Sequence, residues 1–449
     1  MKTNLLTSLR TAAIAALIAG PTIANAQLSK IDNIRPYDQS GINVYEAPKD
    51  TVTEFDGIRF RIGAGFTQGF QNLKHENTAN NLYKISPGFN NASANLFMDF
   101  QLADGIRLNL TTYLSSRHHN ETWVKGGYIQ FDKLPFEGKI WEDIMKYTTI
   151  KIGHTEINYG DQHFRRSDGG HTHYNPFAEN YIMDAFATEI GGEVLVRNNG
   201  AFALVGVSGG LIRGSIDSIN VGIDPVSGTV ADDSRHKTPS VYGKLGYDKQ
   251  LNENVRLRVA ASVYHNNSAG NNGNTLYGGD RSGSNYFMVL EPAGSAVTYA
   301  TNAFSGRFNP GFTKKITATQ LNAFMKAYGL EVFGTYEFAS GRSNTELASR
   351  DASQFAIDGV YRFLPSEKLF IGARYNTVTA DVLSGTGAAR ILTNDVKIDR
   401  FSVAAGWFLT KSILLKGEYS TQKYKDFAAS DIRNGGKFDG YVIQASIGF

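Results

Sequence analysis

The chain has no cysteine among its 449 residues. Disulfides and thiolate metal sites are therefore excluded, and a chain working outside the cytoplasm must be held together by other means. Beyond its N-terminus it offers no run of about 20 consecutive apolar residues, so no segment can cross a bilayer as a helix. Net charge is nearly absent, with 45 Lys and Arg against 42 Asp and Glu. Nothing in that balance argues for nucleic acid or another polyanion as a partner. Internal repeats and low-complexity tracts are also missing.

The two ends are more informative. Lys2 and Arg10 flank a polar start, Ala12 to Ala19 form a short apolar run, and Pro21 and Ala24-Asn25-Ala26 follow. This pattern is expected of a secretory signal peptide over residues 1–26, with the mature chain starting at Gln27. Its removal leaves 43 bases against 42 acids. At the other end Tyr441, Ile443, Ala445, Ile447 and Phe449 share one face of a strand, and Gln444, Ser446 and Gly448 lie on the other. Val442 interrupts the polar face. A soluble chain can also end on such a strand.

Between the ends the sequence parses into alternating segments of about 10 residues. Ile58 to Phe66, Val255 to Val263, Phe355 to Phe363 and Phe401 to Leu409 are examples, each placing apolar residues on one face and polar or small residues on the other. Sixteen strands are expected, near 58–70, 91–102, 105–116, 122–133, 147–157, 184–197, 200–213, 238–248, 253–265, 317–327, 329–340, 352–363, 368–380, 396–409, 412–424 and 438–449. Short turns such as Ala103-Asp104-Gly105 and Asn198-Asn199-Gly200 alternate with long loops. The segment 266–316 could hold two further strands, near Asn285–Leu290 and Ala296–Thr301, so eighteen is the alternative count. The abundance of aromatics, 28 Phe and 22 Tyr, and of glycine, at 47, beside a slightly polar mean hydropathy suits a wall that is apolar outside and polar inside. The expected fold is all-β: a transmembrane antiparallel β-barrel over 56–449 with long extracellular loops and short periplasmic turns. Sixteen strands are expected to enclose an aqueous channel. Residues 27–55 contain Pro36 and Pro48 and little alternation. They are expected to form a periplasmic or lumenal segment ahead of the barrel.

Together these features resemble a Gram-negative outer-membrane porin, most nearly the phosphate-selective porin O/P type. The resemblance is one of architecture rather than motif. It implies residence in the cell outer membrane after signal-peptide cleavage, among lipid and lipopolysaccharide. It implies delivery by periplasmic chaperones and the barrel-assembly machinery, which reads the terminal Phe449, and it is compatible with a homotrimer. The expected activity is passive diffusion of small hydrophilic or anionic solutes, with no enzymatic step and no cofactor. Two alternatives stay open: a hatch-gated transporter of hydrophobic substrates, of the fatty-acid type, and a non-conducting barrel that anchors something at the surface.

The lumen-facing set read from the alternation is Arg59, Arg61, Arg107, Lys151, Lys244, Arg256, Arg258, Arg362, Arg374, Arg400 and Lys416, with the acids Glu331, Glu337, Asp358 and Glu418. A basic wall raises local anion concentration. The alternative is that these bases pair with lumen acids and merely solvate the wall. The family's basic ladder is rich in lysine, whereas this wall is mostly arginine, which puts phosphate specificity in doubt. In general porins the loop after the fifth strand narrows the channel. The segment from Asn158 to Tyr181 resembles it in position and length, so His163, Arg165, Arg166, Asp168, His171 and His173 are the expected constriction residues. The histidines also invite a metal reading, but nothing in the sequence completes a ligand shell. Ser167-Asp168 near histidines does not define a catalytic triad without geometry.

Overall fold

A computed structural model describes residues 30–49, 54–115, 122–167, 169–210, 236–270, 273–280, 282–294, 302, 304–384 and 391–449. The expected signal peptide lies outside them. The strands are β1 (Arg59–Glu76), β2 (Gly88–Ala103), β3 (Ile106–Ser115), β4 (Trp123–Phe131), β5 (Thr148–Glu156), β6 (Thr188–Asn198), β7 (Ala201–Ser208) and β8 (Ser240–Asn252). They continue as β9 (Val255–Asn266), β10 (Lys315–Ala327), β11 (Leu330–Arg342), β12 (Arg350–Phe363), β13 (Leu369–Ser384), β14 (Ile391–Thr410), β15 (Ile413–Lys425) and β16 (Lys437–Gly448). Each pairs antiparallel with its neighbours in chain order, and β1 pairs with β16, so the sheet is a closed barrel of sixteen strands. Asn285 to Leu290 form turns rather than a strand. The other candidate strand, near 296–301, lies outside the described residues.

Period-two alternation fixes which side chains meet lipid and which fill the ring. On β16, Tyr441, Ile443 and Ile447 are exposed, whereas Val442, Gln444 and Ser446 are buried inside. The seam extends to the last residue. The Phe449 amide donates to the Ala64 carbonyl, and the Ala64 amide donates to that of Phe449, both at 3.0 Å. No backbone edge is left there for another chain to extend. On the short-turn side, Asn199 and Gly200 both take positive φ, 47° and 90°, the conformation a two-residue hairpin requires. One connection on this side is longer. Between β4 and β5 lies the short helix α1 (Lys139–Met145), in the segment between the expected strands 122–133 and 147–157.

The expected open lumen is not what the ring contains. Beside β8 to β16 and β1 the interior is filled by the described residues of two loops, 157–187 after β5 and 267–314 after β9. Phe177, Ile182, Met183 and Tyr286 from these loops are fully buried. Phe177 clusters with the inward-facing Phe370 and Phe408, Ile182, Met183 and Tyr286 share a cluster with Val442, and Tyr181 of the first loop clusters with Phe324 and Phe333. Removing this apolar surface from water favours the packed arrangement over a wide water-filled bore.

Candidate functional site

Loop 157–187 crosses the ring and is fastened to the far wall by wall side chains that capture its backbone. The amides of Asp161, Ala178, Ile182 and Met183 donate to Asn322, Glu418, Asn376 and Gln354, at 2.9, 2.9, 2.7 and 2.8 Å. Lys416 donates to the carbonyls of Thr172, Asn175 and Phe177 at 2.9, 2.7 and 2.7 Å. These bonds satisfy the polar groups of an irregular segment that could not otherwise be buried. Gly160, at φ 69°, lies so close to Gln320 that a Cβ there would overlap its side chain. Loop 267–314 is latched to the first loop through Glu179, which accepts from Ser284 at 2.6 Å and pairs with Arg307 at 3.0 Å. It reaches the wall through Tyr286 to Glu418 and through the Phe287 amide to Gln71 at 2.8 Å.

Residues 30–49 form a belt below the loops. Tyr37 donates to Asp99 on β2 at 3.0 Å, Asn43 to Glu331 on β11 at 2.6 Å, and the Gln39 amide to the Lys411 carbonyl at 2.9 Å. Glu46 joins a buried cluster of four charges, pairing with Arg258 at 2.7 Å while Asp161 pairs with Arg258 at 2.7 Å and Lys244 at 3.1 Å. Burial alone would raise the Asp161 carboxyl, but Lys244 and Arg258 outweigh it and hold it well below the usual range. The cluster carries two charges of each sign, so the belt, the loop and the wall are joined without a net buried charge.

A slot is open on the opposite side, between β2–β6 and the loop. A cavity of about 210 Å³ lies there, with Arg107, Lys125 and Lys151 on the wall and Arg35, Tyr45 and Phe164 facing them. Arg107 also lines a second cavity of about 590 Å³ at the short-turn end, beside α1.

The basic residues read from the sequence fall into four groups. Arg362, Arg374, Arg256 and Arg258, with Lys244, are paired with Glu331, Asp358, Asp248 and Asp161. Arg59 pairs with Asp56 at 2.7 Å, and the Arg61 guanidinium stands 5.3 Å from the Tyr37 ring centroid. Arg400 and Lys416 are spent on loop backbone, Arg400 through the carbonyls of Asn180 and Gly306 at 2.7 and 2.8 Å. Only Arg107 and Lys151 of the set line the slot. Lys151 stands 3.5 Å from Glu193. Arg107 is 3.9 Å from Asp132, and its Nε and Nη2 have no hydrogen-bond partner. The pairing alternative thus describes most of the wall.

Among the expected constriction residues, His163 lines the slot, with Nδ1 at 2.7 Å from Glu156. Burial lowers its pKa against the pull of that carboxylate. Arg165 and Arg166 point elsewhere. Arg165 donates to Asn43 at 2.6 Å and lies over the Phe333 ring, and Arg166 pairs with Asp184 and lies over Phe186. His173 is at the far wall, 3.3 Å from the Ser446 carbonyl. Asp168 and the side chain of His171 lie outside the described residues. His163 and His173 share no partner, and no group of three metal-ligating side chains occurs among the described residues. The alternation reading missed Asp99, Lys125 and Glu193 on the slot wall. Asp99 and Glu193 sit at inward positions of β2 and β6, where period two would have found them. Lys125 was obscured by the register shift between β3 and β4 at Thr111 and Thr112.

No protein-family model matches the sequence, and no curated protein matches it. Solved structures do. The anion-selective porin from Comamonas acidovorans aligns with a TM-score of 0.52 at 10% identity, over 87% of this chain and 100% of that one. The outer-membrane protein OmpT of Vibrio cholerae, in its trimer form, aligns at 0.49 and 9% identity, over 88% and 100%. OpdL of Pseudomonas aeruginosa aligns at 0.41 and 12% identity, over 88% and 99%. At such identities the likeness concerns the fold, and the fold is a closed sixteen-stranded antiparallel barrel of the porin type.

Proposed function

We propose that this chain is an outer-membrane porin passing small hydrophilic solutes by diffusion, with a preference for anions, through the slot beside β2–β6. The observation that carries this reading is the chemistry of the slot. Its carboxylates are occupied: Asp99 accepts from Tyr37 and Asn109 at 3.0 and 2.8 Å, Glu193 faces Lys151, Glu156 stands 2.7 Å from His163, and Glu46 pairs with Arg258. Arg107 instead keeps two donor nitrogens without a partner. A passing anion meets the positive charges of Arg107 and Lys151 on the slot wall, whereas a cation meets carboxylates already in use. The exposed apolar outer wall suits a bilayer, and the expected leader suits export to the outer membrane. Trimer formation and recognition of Phe449 during assembly belong to the same proposal.

The test is conductance of the refolded chain in a planar bilayer under a salt gradient, against Arg107→Gln and Arg107→Gln with Lys151→Gln. An anion-leaning reversal potential should move toward zero in the single variant and further in the double. Equal potentials in all three would reject the slot as the ion path. A second reading, a barrel that conducts only after rearrangement, is favoured by the filled half of the lumen. It is supported if the folded native chain is silent and conducts when the belt is removed.

A further inference from the structure

We propose that α1 is an interfacial foot, resting its apolar stripe in the leaflet at the short-turn end of the barrel. Residues three and four apart share a helix face. By that rule Ile140 and Ile144 form one stripe, which Tyr147 extends just beyond the helix. The three side chains are 67%, 45% and 39% exposed. The opposite side of the helix is already used, since Trp141, Glu142 and Met145 line the cavity that Arg107 shares. The stripe is therefore the face turned from the bore.

Continuity identifies what covers it. Tyr147 leads directly into β5, whose outward Ile152 is exposed, and the neighbouring outer walls of β4 and β6 carry exposed Ile129, Val194 and Val196. The apolar band of the barrel thus runs without a break onto the helix. Charges around the helix balance, with Lys133, Lys139 and Lys146 against Glu137, Glu142 and Asp143. Lys139 and Asp143 pair with each other at 3.0 Å. Binding through the stripe rests on burial of apolar surface and does not require anionic lipid.

This inference rests on the membrane placement of the barrel, and the test separates the two. Because the chain lacks cysteine, a nitroxide can be attached at one introduced site. The full chain carrying Ile140→Cys, Ile144→Cys, Lys139→Cys or Asp143→Cys is refolded into phosphatidylcholine vesicles, with and without phosphatidylglycerol. Ile443→Cys, on the outer wall, is the reference. Collision with oxygen is compared with collision with a water-soluble nickel chelate. Oxygen should dominate at 140, 144 and 443, and the chelate at 139 and 143, with no change on adding phosphatidylglycerol. Chelate dominance at 140 and 144, with oxygen dominance kept at 443, overturns the foot while sparing the embedded barrel. Protection of 140 and 144 from both reagents also overturns it, pointing to a second copy of the chain on this face. Chelate dominance at 443 overturns the membrane placement itself. A variant that fails to fold is recognised by loss of heat-modifiable migration, and Ile140→Cys and Ile144→Cys each test the stripe independently.

Discussion

At the scale of single residues, the site is governed by how buried polar groups are satisfied. Asp161 is the centre of the four-charge cluster, and removing its charge leaves Lys244 with Glu46 at 3.8 Å and Arg258 with Glu46 and Asp248. Breaking a buried charge set in this way costs about 3–5 kcal/mol. Asp161→Asn is expected to lower the urea midpoint of the lipid-refolded barrel, whereas Lys139→Gln on the exposed helix should leave it unchanged. His173 gives a pH dependence of known sign. Burial holds its imidazole down at about 4. Protonation is therefore easier once the loop leaves its seat, where the ordinary value of about 6.5 applies. The seating free energy is complete above about 6.5 and is lost as pH falls toward about 4. Current fluctuations should grow on acidification across that window. His173→Gln should reduce the growth, with the remainder due to His163, which burial shifts in the same direction.

At the scale of elements, strands were legible in the sequence and the loops' behaviour was not. Alternation is a local property, and it placed all sixteen strands because each needs only its own residues to declare two faces. The ends of β1 and β14 ran further than expected, to Glu76 and back to Ile391, because partner strands support them there. The single inward loop was anticipated, but its chemistry was misplaced. Arg165 and Arg166 look like pore residues when read alone, and their partners Asn43 and Asp184 are supplied by folding. The second inward loop left a trace that period two alone does not interpret. Phe333, Phe370, Phe408, Leu414 and Val442 are apolar residues at lumen positions, and they mark where the wall meets protein instead of water. The two loops depend on each other through Glu179. Glu179→Ala is expected to release loop 267–314, so that trypsin cuts after Arg307 in the otherwise heat-resistant barrel. Resistance equal to that of the native chain would show that Tyr286 and Phe287 hold the loop unaided.

At the scale of the whole molecule, the ring and its contents are separable contributions. The ring is closed by backbone bonds that do not involve the belt. Deleting residues 30–49 is expected to preserve heat-modifiable migration and to raise single-channel conductance, because the belt residues Arg35, Tyr37, Tyr45 and Glu46 border the slot. Conductance unchanged by the deletion would place the narrowest point in loop 157–187 instead. Charge on this scale was also misleading in the sequence. The inward bases outnumber the inward acids on the strands, but Glu46 from the belt and Asp161 from the loop pair with Arg258 on the wall, while Glu179 and Asp184 pair with the loop bases Arg307 and Arg166.

The uneven filling also has a mechanical side. From β8 round to β1 the hoop is braced from inside, and a strand that bends inward meets packed side chains. Across β2 to β6 the wall borders the slot and is met from inside at separate points, as by Tyr37 at Asp99 and by Asp280 at Lys125, and between β4 and β5 the ladder is reduced to the rows from Gly127–His154 to Phe131–Ile150. A hoop stiffened over part of its circumference flexes where the brace is sparse. Heat, voltage or a bulky solute should therefore make the barrel oval along this thin arc, and amide exchange should begin at β4 and β5 while the braced arc keeps its protons.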